Sequence, residues 1–107
     1  VHGMAETGAA LDIPLVESIA GRVDAALVMH GSSGVDDASL VRAIGAGIAK
    51  VNLSTALQRA FMRALRGSAN APGHEHDARA VLGDARAAVL EAVRHRIRLT
   101  GAAGKAA

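Results

Sequence analysis

Asp24-Ala25-Ala26-Leu27-Val28-Met29-His30-Gly31-Ser32-Ser33-Gly34 is the stretch on which the fold turns. Ala25 to Met29 is short, continuously apolar and bounded by charge and glycine, a pattern that predicts a strand buried on both faces of a parallel sheet. The strand ends at His30 and gives way to a glycine-serine loop. Downstream, Asp36 or Asp37 starts a helix through Leu40, Val41 and Ile44 that frays at Gly45 and Gly47. Ile48 to Leu53 then reads as a second strand. Ser54 or Thr55 caps a third helix, with Leu57, Ala60, Phe61, Ala64 and Leu65 on one stripe and an end near Gly67. Upstream, Asp12 caps a helix with Pro14 in its first turn and Val16, Ile19, Ala20 and Val23 at helical spacing.

Residues 67–76 have low helix and strand propensity and predict a loop, in which His74-Glu75-His76 reads as solvent-exposed. A long final helix follows from about Asp77 to Leu99. Val81, Leu82, Ala85, Val89, Val93 and Ile97 face inward on it, Arg86, Glu91, Arg94, Arg96 and Arg98 outward or sideways, and His95 lies at the surface or a subunit contact. Strand, loop and helix recurring at about 22 to 28 residues is the rhythm of βα units, and a closed (β/α)₈ barrel needs about 250 residues. The expected fold class is therefore α/β, the C-terminal part of a TIM barrel: the last two to three βα units plus a C-terminal helix. Val1-His2-Gly3 reads as a strand end with no strand before it, so residues 1–107 are expected to be a C-terminal fragment of one barrel domain.

Composition narrows the function. The chain is 50% hydrophobic and 21% charged, which suits one small globular core, but Phe61 is its single aromatic residue. A core of Val, Leu, Ile and alanine buries little area per residue and is thin. Two strands of a parallel sheet also expose apolar edges, so the segment alone is expected to be molten or aggregated. Twelve basic against 10 acidic residues give a net charge of +2, spread over arginine-rich helices rather than concentrated, which argues against a nucleic-acid partner. There is no cysteine, so a metal would be held by imidazole or carboxylate. No apolar stretch approaches a membrane span, and the expected setting is cytoplasmic.

The candidate chemistry gathers at the strand ends. His2 and His30, each followed by glycine, sit where neighbouring strands of a parallel barrel can point two imidazoles at one zinc ion, which takes three protein ligands in a catalytic site. A terminal residue and a hydrogen-bonded strand-end histidine explain the same positions without metal. Gly31-Ser32-Ser33-Gly34 ahead of a helix suits a phosphate cradle, because glycine admits backbone N–H groups to an anion and serine adds hydroxyl donors. Asn52-Leu53-Ser54-Thr55 repeats the arrangement one strand later, where Thr55 serves as helix cap, phosphate ligand or both. Two ordinary helix caps are the plainer account of either motif singly.

At these residues the chain resembles the class II, zinc-dependent ketose-bisphosphate aldolases. Leu27-Val28-Met29-His30-Gly31-Ser32-Ser33-Gly34-Val35 is similar to the family's Leu-Val-Leu-His-Gly-Gly-Ser-Gly-Ile, and Ile48-Ala49-Lys50-Val51-Asn52-Leu53-Ser54-Thr55 to its Val-Lys-Ile-Asn-Val-x-Thr. His2-Gly3 falls at its Thr-x-His-Gly, and Arg96-Ile97-Arg98-Leu99-Thr100-Gly101-Ala102-Ala103-Gly104-Lys105 resembles its closing Arg-Ile-x-x-Phe-Gly-Ser-Ala-Gly-Lys. The resemblance implies a retro-aldol lyase that yields dihydroxyacetone phosphate and an aldehyde, with zinc stabilising charge on the substrate's oxygens. It makes His2 and His30 zinc ligands. Gly3, Gly31 and Ser33, with Ser32 in the same loop, would hold the phosphate and a neighbouring monovalent cation. Asn52 would hydrogen-bond the enediolate, while Leu53, Ser54 and Thr55 complete the phosphate pocket. It also implies a homo-oligomer, dimer or tetramer, for the full-length protein.

The departures are informative. The family's third zinc histidine, the aspartate before it that donates the proton, and a further carboxylate belong to earlier strands, so this segment alone is expected to be inactive. Ser54 stands where fructose-bisphosphate members carry Asp and tagatose-bisphosphate members often Ala, and Glu6 replaces a lysine found in some members. A non-catalytic α/β fragment or assembly module is the competing reading, and a metal-free phosphate-binding isomerase leaves the paired His-Gly motifs unexplained.

Overall fold

The computed structural model describes residues 10–105, and His2, Gly3 and Glu6 lie outside them. The elements run α1 (Ile13–Ala20), β1 (Leu27–Met29), a single 3₁₀ turn (Ser32–Gly34), α2 (Asp37–Gly45), β2 (Ile48–Val51), α3 (Thr55–Ala69) and α4 (Ala78–Leu99). This is a mixed α/β order. Among the described residues no helix is long and apolar enough to cross a membrane.

Three helices begin where an aspartate offers a carboxylate to the free N–H groups of the first turn. Asp12 accepts from Leu15 N at 3.0 Å, Asp36 from Ser39 N at 2.8 Å, and Asp77 from Arg79 N and Ala80 N at 3.1 and 3.0 Å. The two strands pair in parallel, Leu27 with Ile48, Val28 with Lys50 and Met29 with Val51, with an irregularity between Leu27 and Val28. Both are shorter than the apolar runs that predict them. Asp24 and Ala25 bend away before β1, and beyond Val51 the chain leaves the ladder after one more bond, from Asn52 N to Met29 O at 2.9 Å.

β1 is also not buried on both faces. Met29 is buried, yet Val28 is 43% exposed, because among the described residues β1 has one neighbouring strand and its other face is uncovered. Gly47 delivers the chain into β2. Its φ is +117°, and a Cβ there would lie 2.8 Å from Ala20 Cβ, so the end of α1 packs directly on its backbone. The core is small, as the composition implies: Met29, Val35, Leu40 and Ala43 are buried, with Leu11, Ile13, Ile44, Ile48, Val51 and Leu99 packed around them.

The α3–α4 hairpin departs from expectation in two places. α3 runs through Gly67 to Ala69 because Ser68, in its last turn, is buried against α4. The Ser68 hydroxyl donates to Asp84 Oδ2 at 2.6 Å, and His74 Nδ1 lies 2.9 Å from Ser68 Oγ and 3.1 Å from the Ser68 carbonyl. Since the hydroxyl hydrogen goes to Asp84 and a carbonyl only accepts, Nδ1 of this imidazole is the donor to Ser68. His74 is thus half-buried and engaged, not solvent-exposed, while Glu75 and His76 are exposed. On α4 the inward face carries Val81, Ala85, Val89 and Val93, but Leu82 is 54% and Ile97 42% exposed. Their places are taken by Ala88, Ala92 and Arg96, which is half-buried because Asp37 at the start of α2 draws it in. Arg96 Nη1 donates to Asp37 Oδ1 at 2.9 Å, and the exposed His95 reaches Asp37 Oδ2 at 2.6 Å.

Candidate active site

The parallel pairing brings the ends of β1 and β2 level, so His30 and Asn52, separated by 22 residues, become neighbours. Immediately after His30 the chain reverses at Gly31, whose φ of 70° is the left-handed conformation that a side chain disfavours. The 3₁₀ turn that follows aims two hydroxyls at the next loop. Ser32 is buried, and its Oγ donates to the Asn52 carbonyl at 2.7 Å. Ser33 Oγ accepts from Ala56 N at 3.0 Å.

The second of these bonds corrects an expectation. α3 begins after Ser54, but neither Ser54 nor Thr55 caps it through its own side chain. The capping hydroxyl comes from Ser33, one strand earlier, so the start of α3 is bound to the loop after β1.

Between the two loops lies a cavity of about 230 Å³ lined by His30, Gly31, Ser33, Asn52, Leu53, Ser54 and Thr55. Every described candidate residue except Ser32 lines it, and Ser32 lies behind the wall. No lysine or arginine is in the lining, so an anion here would be met by hydroxyls, backbone N–H groups and the positive end of α3. A larger cavity of about 330 Å³ adjoins on the far side of Asn52 and Leu53, where Leu57, Val93, Arg96, Ile97 and Thr100 complete a mostly apolar wall.

His30 is exposed at the cavity rim. Asn52 Nδ2 is 3.3 Å from both of its ring nitrogens. A point that close to both lies over the ring, since in the ring plane the Cε1–H would obstruct it. The amide therefore rests on the imidazole face and leaves the ring's edge free on the nitrogen side. An exposed imidazole with an open lone pair suits one zinc ligand. Among the described residues no set of three His, Asp or Glu side chains is placed to hold a metal, so His30 would need partners from elsewhere.

Asp36, at the start of α2 behind the loop, has its carboxyl held below the usual value near 3.8 by the hydrogen bond from the Ser39 backbone, then by the Ser39 side chain. The sequence pattern did not single out the Asp37 pair with His95 and Arg96, nor the Ser68 knot. Both join side chains far apart in the chain, and an Asp in a first turn reads equally well as a helix start.

Comparison with known proteins places the chain in a family. The family model for class II fructose-bisphosphate aldolase matches residues 1–105. The sulfofructosephosphate aldolase of Alkalicoccus urumqiensis is 34% identical over 105 residues, covering 98% of this chain and 37% of the relative. The fructose-bisphosphate aldolase of Mycoplasma pneumoniae is 32% identical, covering 99% and 39%. The crystal structure of the YdjI aldolase from Escherichia coli K12 superposes with a TM-score of 0.78 at 35% identity, over 92% of this chain and 36% of that one. The chain thus spans well under half the length of the relatives it matches. With the His-Gly and Asn-x-Ser-Thr loops converging on one cavity, and a family match from end to end, the chain belongs to the class II fructose-bisphosphate aldolase family.

Proposed function

We propose that the protein containing this chain is a zinc-dependent ketose-bisphosphate aldolase that reversibly cleaves its substrate to dihydroxyacetone phosphate and an aldehyde. In this reading residues 1–107 form the C-terminal part of one (β/α)₈ barrel whose other strands cover the open face of β1. The observation that carries the proposal is the single cavity on which His30, Asn52 and the Gly31–Ser33 and Ser54–Thr55 turns converge.

His30 and His2 would hold zinc, which when bound supplies a Lewis acid for charge developing on substrate oxygen. Asn52 donates from Nδ2 to the enediolate oxygen, a bond that strengthens as charge accumulates. Gly3, Gly31 and Ser33 grip the phosphate with a neighbouring monovalent cation, and Ser54 and Thr55, with Leu53, close the pocket at the start of α3. Holding the three-carbon unit at both ends fixes the breaking bond against the reacting groups. The proton donor lies in the remainder of the protein. We extend the proposal to a homo-oligomer in the cytoplasm. Leu82, Leu90 and Met62, exposed on the α3–α4 hairpin, motivate the oligomer, which light scattering on the full-length protein would read.

The test is a panel of fructose, tagatose and sulfonated ketose phosphates assayed with the full-length protein, with and without a chelator. Cleavage of one of them, lost on chelation and restored by zinc, is expected. His30→Ala should lower kcat/KM by about 100-fold or more with an unchanged melting curve, as for loss of a metal ligand. Full activity in that variant would remove the assignment.

A further inference from the structure

Ser32 lies behind the proposed site rather than in it, and its surroundings give it a task. The residue is 1% exposed, and its hydroxyl spends its hydrogen on the Asn52 carbonyl at 2.7 Å. The Asn52 N–H is already bound, donating to the Met29 carbonyl at 2.9 Å. Both backbone groups of Asn52 are therefore held by the segment around β1, one by the last strand residue and one by the loop beyond it. With its main chain clamped on both sides, Asn52 has only its side-chain torsions left to set, and its amide comes to rest 3.3 Å from both nitrogens of His30.

We infer that Ser32 is a positioning residue: by holding the Asn52 carbonyl, its buried hydroxyl keeps the Asn52 amide on the His30 ring and aimed into the cavity. Removing the hydroxyl leaves a carbonyl that must find water, and Asn52 regains freedom about its own backbone. The kinetic consequence rests on the aldolase reading. The geometric one does not.

Two measurements on the full-length protein decide it. The first compares crystal structures of the wild type and Ser32→Ala. Displacement of Asn52 Nδ2 from the His30 ring in the variant is expected, and an unmoved Asn52 overturns the proposal whatever the substrate. The second is a double-mutant cycle. Ser32→Ala should lower kcat about tenfold, the scale of one misdirected hydrogen bond, with KM changed less than about threefold. In an Asn52→Ala background the same substitution should change kcat less than about twofold, because the backbone carbonyl remains but the side-chain amide that it orients is gone. An equal loss in both backgrounds overturns the inference, since a general loosening of the loop would act without Asn52. Ser32→Cys, nearly the same size with a weak donor, replaces the alanine variant in both measurements if that one fails to fold. If the wild type cleaves no ketose phosphate, the proposed function fails and the crystal structures alone decide the role of Ser32.

Discussion

The loops after the two strands and the far end of the α3–α4 hairpin are both closed by serine hydroxyls, buried at Ser32 and Ser68 and half-buried at Ser33, and they differ in what those hydroxyls hold. Ser32 and Ser33 bind backbone, the Asn52 carbonyl and the Ala56 N–H, across separations of 20 and 23 residues. Ser68 binds side chains, the Asp84 carboxylate and the His74 imidazole, across 16 and 6. A hydroxyl on a main-chain group fixes where the neighbouring residues point. One that binds an exposed carboxylate can be replaced by water with little change in the backbone. The strand-end region is thus built for geometry, and the hairpin knot for stability.

This contrast can be broken at three points in the full-length protein, beyond the histidine and Ser32 variants above. The largest effect on stability is expected from Gly47→Ala, where the new Cβ would meet Ala20 Cβ at 2.8 Å in a left-handed φ. A loss of about 2–3 kcal/mol in denaturant unfolding is expected, with a fall in kcat because β2 carries Asn52. Unchanged stability would show that α1 is free to move off the strand. Next is Ser68→Ala, which should lose about 1 kcal/mol in the same measurement and leave kcat unchanged. A variant that kept its stability and lost activity would reverse the contrast between the two regions.

The smallest effect is a pH dependence at Asp36. Its folded pKa is depressed by the Ser39 hydrogen bonds, so its contribution is present above the unfolded value near 3.8 and lost as pH falls through the lower folded value. Melting temperature should therefore drop on acidification below about pH 4. Asp36→Asn, which keeps a capping oxygen but not the charge, should flatten that part of the profile. An identical profile in the variant would assign the acid sensitivity to other carboxylates.

The order of elements was legible because each is marked locally. Asp12, Asp36 and Asp77 open helices as carboxylate caps, and apolar runs bounded by glycine or charge place both strands. The candidate site was legible as a set, since seven of the residues it names line one cavity. The errors fall where a partner distant in the chain decides the outcome. Gly67 reads as a stop until Ser68 is tied to α4. Ser54 and Thr55 read as caps until Ser33 takes that place, and His74 reads as exposed until the same Ser68 receives it.

The sequence by itself determined the order of strands and helices and that His30 follows a strand, because periodicity and capping act within a few residues, whereas the pairing of β2 stops at Val51 and so leaves Asn52 just beyond it rather than inside it. Only the tertiary structure decided that Ser32 turns inward to Asn52 while Ser33 reaches α3, and that the Asn52 amide lies on the His30 ring. Adjacent serines in a glycine loop have the same local propensities. What separates their roles is which distant backbone group each one meets once the strands have paired.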